Sequence, residues 1–135
     1  MAIDFLTLAS REYRDININF EKNPVTDDVL AVTGADAVKK SVRSILMTQA
    51  GEVPFLPNFG SRLTRLLFEP MDGITTSMLD SEIRTSITTF EPRVTIRDLT
   101  ITPTPDEHQY QVDLVLQLVN LPTPITLTIF LTRIR

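Results

Sequence analysis

Cysteine and tryptophan are both absent from this 135-residue chain, and histidine occurs once, at His108. The first absence removes disulfide frameworks, thiolate nucleophiles and thiolate zinc sites. One histidine leaves no histidine pair for a metal or a proton relay within a single chain. With no Trp and 2 Tyr, aromatic platforms for sugar rings are scarce as well. Positive charge is in the minority: 13 Lys and Arg face 17 Asp and Glu, for a net charge of −4. That balance excludes a general nucleic-acid binder, which needs clustered cations to neutralise phosphates. Lys39, Lys40 and Arg43, and then Arg62 and Arg65, are read as solvated helix faces. No apolar run approaches the ~18 residues of a membrane span. The start, Met1-Ala2-Ile3-Asp4, lacks the basic and apolar regions of a secretory signal, so none is expected. No glycine spacing matches a phosphate-binding loop, and no cofactor or metal is expected.

What remains is an ordinary globular mixture, 42% hydrophobic and 22% charged, with 9 Pro and 4 Gly. Its length suits one domain. Residues 1–14 are read as an N-terminal arm, with Ile3, Phe5, Leu6 and Leu8 as anchors, and 15–135 as the domain.

Asp15 to Phe20 alternates at period two, and Val29 to Thr33 offers a second short strand. Across 36–49, Val38, Val42, Ile45 and Leu46 recur at helical spacing, with Asp36 at the start and Gly51 past the end. Pro54, Pro57, Asn58 and Gly60 make 52–60 a structured loop. Leu63, Leu66 and Leu67 mark a short helix, with Ser61 as its expected cap. Ile74 to Phe90 carries one apolar stripe, Leu79, Ile83, Ile87 and Phe90, and Pro92 stops it. The last third predicts three strands. Val94 onward changes phase near Arg97-Asp98, which indicates a bulge. Tyr110 to Leu118 alternates without interruption, and Ile125 to Leu131 alternates with threonines. Helices followed by a meander predict an α+β single domain, its helices on one face of an antiparallel C-terminal sheet.

Paired carboxylates are the one enzyme chemistry this inventory permits. A glycosidase needs two, one of them with a raised pKa. Glu52, Glu69, Asp72 and Glu91 are candidates, but each sits where a turn or helix end would place it anyway. His108 reads as a solvated loop histidine. The last strand is more informative. Ile125, Leu127, Thr128, Ile129 and Leu131 lie on an edge strand with no Lys, Pro or bulge to blunt it, and such an edge invites pairing with another chain. Covering of that edge by residues 16–20 of the same chain is the alternative.

Three segments together resemble the baseplate wedge, or sheath initiator, family of contractile-tailed phages. They are Gly51-Glu52-Val53-Pro54-Phe55-Leu56-Pro57-Asn58-Phe59-Gly60 with Leu63 to Pro70; Glu91-Pro92-Arg93 between a long helix and a meander; and Asp15 to Phe20 with Val32-Thr33-Gly34 and the helix that follows. The resemblance covers nearly the whole chain and extends to the type VI secretion baseplate component. It implies a structural, non-enzymatic protein of the virion tail baseplate, made in the host cytoplasm and present in several copies around a rotational axis. Implied partners are the wedge core proteins, the sheath protein and, as a further candidate, the tail tube, with no nucleic acid and no membrane. Glu91, Pro92, Arg93, Phe59 and Gly60 are implied to face the wedge core. The sheet edge at Ile125 to Leu131 is implied to receive strands of the first sheath ring. The family is also often called lysozyme-like, which leaves a cell-wall hydrolase using paired carboxylates as the alternative. A free-standing adaptor for some other strand-forming peptide is the third possibility.

Overall fold

The computed structural model describes residues 14–17, 20–119 and 121–133. The N-terminal arm therefore lies almost wholly outside the described residues. Two short strands, β1 (Arg14–Ile16) and β2 (Ala31–Thr33), pair antiparallel as a small ribbon. Helix α1 (Gly34–Met47) follows, then the short α2 (Leu63–Leu66) and the long α3 (Gly73–Phe90). The last third is a meander of β3 (Val94–Thr104), β4 (Gln109–Leu118) and β5 (Ile125–Thr132), in the order β3-β4-β5. This is the expected α+β arrangement.

The buried positions follow the sequence periods. On β4, Tyr110, Val112, Leu114, Leu116 and Leu118 all turn inward and are fully buried. Val38, Val42 and Leu46 of α1, with Leu79, Ile83 and Ile87 of α3, meet them and form the core. The β3–β4 register shifts between Ile96 and Asp98, so the anticipated bulge is present. β3 runs on through Pro103 to Thr104, which shortens the expected polar loop to a 3-10 turn at Pro105–Glu107.

One local expectation is corrected. Ser61 does not cap α2, whose N-cap is Arg62. Ser61 is buried instead, and its hydroxyl donates to the Leu46 carbonyl at 2.8 Å, tying the loop back to the end of α1. Covering of the last strand by 16–20, the alternative to an open edge, is not seen among the described residues, where β1 pairs with β2. The reason is local: 17 and 30, and 22 and 29, close a hairpin that keeps β1 beside β2.

Candidate assembly surfaces

The turn from α3 into β3 is held by an internal ion pair. Glu91 is 2% exposed. Arg93 Nε donates to Glu91 Oε1 at 2.5 Å and Arg93 Nη2 to Oε2 at 2.6 Å, a two-pronged contact matching the planar guanidinium to the carboxylate. Ser41 Oγ of α1 donates to Glu91 Oε2 at 2.5 Å. Arg93 also reaches Asp15 of β1 at 3.4 Å. Three separate stretches, 15, 41 and 91–93, are thus tied through one carboxylate and one guanidinium. Burial pushes the Glu91 carboxyl up, but the hydrogen bonds from Arg93 and Ser41 and the Arg93 charge outweigh it and hold it below the usual range. The Arg93 pKa is raised, chiefly by its hydrogen bond to Glu91.

Glu91 and Arg93, both implied by the resemblance to face the wedge core, are each other's partners, because one residue of turn brings both side chains to the α1 side. Pro92 between them is exposed, and Arg93 keeps 26% of its side chain accessible. Glu91 therefore positions the corner, while Pro92 and the outer part of Arg93 present it.

Loop 52–60 sits beside this corner. The Phe59 ring packs 5.1 Å from that of Phe90, the residue before Glu91, at an interplanar angle of 60°. Gly60 has φ +104°, and a Cβ there would lie 2.5 Å from the Thr48 carbonyl oxygen, so glycine alone fits this crossing. Phe59 and Gly60 are thus the loop's anchors. Its outward groups are Phe55, which is 100% exposed, and Leu56. Their exposure went unmarked in the sequence reading, although two large apolar residues inside a proline-rich loop were a usable signal.

β5 forms the other surface. Among the described residues nothing pairs with its outer edge. The Arg133 N–H donates to the His108 carbonyl at 3.1 Å, and Thr132 lies opposite Gln109. In an antiparallel ladder the residues bonded to the neighbour alternate with residues facing outward. Ile125, Leu127, Ile129 and Leu131 consequently bond inward to β4, and Thr126, Thr128, Phe130 and Thr132 offer their N–H and C=O groups to the free side. The opposite edge, on β3, is blunted by the bulge, by Arg97 and Asp98, and by Pro103. β5 has no proline, charge or bulge along Ile125–Thr132.

Three of the four candidate acids, Asp72, Glu91 and Glu52, hold structural contacts. Asp72 caps α3, accepting the Thr75 N–H at 2.7 Å, and that bond lowers its pKa. Glu91 is lowered too, opposite to what a general acid needs. Glu52 accepts the Gln49 N–H at 3.0 Å as part of the loop closure. Glu69 is exposed at the end of the short helix.

The model of the family described as "Baseplate wedge protein gp25" matches residues 32–120. Baseplate wedge protein gp25 of Enterobacteria phage T4 is 29% identical over 98 residues, covering 73% of this chain and 74% of the phage protein. A chain of the anti-feeding prophage baseplate superposes with a TM-score of 0.74 at 24% identity, over 86% of this chain and 93% of that one. A Geobacter sulfurreducens protein provisionally named a tail lysozyme gives a TM-score of 0.68 at 21% identity, over 74% of this chain and 91% of its own. At those identities the two structures speak to the fold.

Proposed function

The chain belongs to the baseplate wedge protein gp25 family, and from that membership we propose that it joins the wedge core of a contractile tail baseplate to the first ring of sheath subunits by β-strand addition. Its coarse role, a structural component of the tail baseplate, follows from the family. The open edge of β5 supports the finer one. Backbone hydrogen bonds to Thr126, Thr128, Phe130 and Thr132 give such a joint strength, and the alternating side chains set its register.

The wedge-facing surface is the corner with its neighbouring loop. Phe55, Leu56 and Pro92 supply exposed apolar contact, and Phe59, Gly60 and Glu91 hold them in place. An exposed aromatic on a constrained loop loses little conformational entropy on docking, which suits a permanent interface. The corner adjoins the Val94↔Leu118 end of the sheet, and Thr132 pairs at the Gln109 end. The joint's other end, Thr126, lies opposite Val115, but the corner enters the sheet on β3 whereas the free edge is across the sheet on β5, two strand spacings or ~10 Å away. Wedge and sheath can therefore be engaged together, in several copies around the tail axis. The hydrolase reading is disfavoured by the lowered pKa of Glu91 and Asp72.

Co-expression with the sheath protein of the same particle tests the joint. Thr128→Pro removes an outward donor while leaving the β4 ladder whole, at the loss of one exposed hydroxyl bond to Asp113, so ordered sheath rings should fail to grow although the protein stays folded. Wild-type ring formation by that variant overturns strand addition. On the wedge side, Phe55→Ser touches no internal contact and should lower baseplate incorporation; unchanged incorporation removes the loop from the interface. Arg93 is unsuited to that test because its loss disturbs the fold.

A further inference from the structure

An apolar groove opens where β5 ends. Leu63, Leu67 and Leu131 form its buried floor, and Met47 (52% exposed), Phe68 (53% exposed) and Arg133 form its rim. Its volume is about 180 Å³, below the ~300 Å³ at which small-molecule pockets begin and suited to one or two side chains. The Arg133 guanidinium lies 5.6 Å from the centre of the Phe68 ring. Among the described residues no carboxylate forms an ion pair with Arg133.

The position of this groove is what matters. It lies on the helix side of the sheet, and Leu131 and Thr132 of β5 line it. A strand added along the free edge of β5 places every second side chain on that same side. The one beside Leu131 meets the Leu63, Leu67 and Met47 surface. Its neighbour two positions along, about 6–7 Å away at ~3.3 Å per residue, comes beside Arg133.

We infer that this groove is the specificity pocket for the added strand: it takes one large apolar side chain, and Arg133 pairs with an acidic residue two positions from it on the same face. The inference rests on the strand-addition reading above. Backbone bonding alone is indifferent to sequence and register, whereas a pocket and a cation at fixed spacing admit one register. The occupant is an extended segment of a sheath subunit carrying that apolar-x-acidic pattern. Continuity of the groove with the open edge argues for it, as does an Arg133 that stacks on Phe68 and has no carboxylate partner among the described residues.

The test uses the full chain co-expressed with the sheath protein, comparing wild type, Met47→Asp, Arg133→Glu and Thr128→Pro. Met47 and Arg133 are exposed and neither side chain takes part in the sheet ladder, so the isolated proteins should stay folded, with only a small drop in melting temperature for Met47→Asp from a negative charge at the C-terminal end of α1. Sheath capture should fall about tenfold or more for each, as for contacts at the centre of an interface, and Thr128→Pro should abolish it. Normal capture by both Met47→Asp and Arg133→Glu, with loss in Thr128→Pro, overturns the pocket and leaves strand addition standing. Normal capture by Thr128→Pro overturns strand addition and the pocket with it. Should Met47→Asp prove too unstable to assay, Arg133→Glu decides alone, and its normal capture overturns the pocket.

Discussion

Arg93 illustrates how little of a residue's role its neighbours in sequence reveal. Glu91-Pro92-Arg93 stood out as a tripeptide at a helix-to-strand corner, yet which way its charges point depended on Ser41 and Asp15, 50 and 78 positions away. Deep burial of Glu91 explains the arrangement: a carboxylate removed from water must be matched by cation and hydrogen-bond donors, or it will not ionise there. Arg93→Ala leaves that carboxylate without its main partner. Removing one member of a buried pair costs about 3–5 kcal/mol, and partial exposure of Arg93 reduces this to roughly 2–3 kcal/mol. Urea unfolding of the variant measures it, and Arg93→Lys should recover only part of the loss, since one ammonium cannot replace the fork. Gly60 differs in kind. Its need for glycine was invisible until Thr48 was seen passing beneath it.

Elements were legible in proportion to how regularly they bury one face. β4 alternates strictly because one side packs on the helices, and its bounds were readable nearly to the residue. α3 was readable from Leu79, Ile83 and Ile87, although nine of its 18 residues are Thr, Ser or Gly. Several of those hydroxyls bond back to the carbonyl four residues earlier, as Thr76, Ser77 and Thr85 do. Such a helix leans on tertiary packing and on its cap. Asp72→Ala should therefore cost about 1 kcal/mol, measured as a lower urea midpoint, with Asp72→Asn retaining most of the stability. The short N-terminal strands were harder to bound. Three residues carry too few repeats of an alternation, and the hairpin bonds that fix β1 against β2 are long-range facts. Ser61 was misassigned for a related reason: a serine ahead of a helix looks like a cap whether it faces the helix or the core.

At the scale of the molecule, acid is the natural probe of how the parts are tied. Glu91, Asp72 and Asp113 all have pKa values below their ordinary ones of 4.5, 3.8 and 3.8. Near pH 4 the unfolded chain binds more protons than the folded one, so stability rises with pH there and is lost as pH falls through the folded values. Stability should hold from pH 7 to about 5 and decline below the ordinary glutamate value of 4.5. Glu91→Gln should be less stable at neutral pH and show a shallower decline. Urea midpoints taken from pH 7 to pH 3 check both, and an equally steep decline in the variant shows that other groups dominate.

The sequence alone determined the fold class, the order of the long elements, the bulge and the family, because these depend on local period, turn chemistry and motif spacing. The structure decided which surfaces those elements expose. Inward pairing of Glu91 with Arg93, outward projection of Phe55, and a groove at the end of β5 all arise where distant segments meet. Whether a charge is buried or a cavity left open is fixed by the packing of those segments against one another, and no local pattern in the chain encodes it.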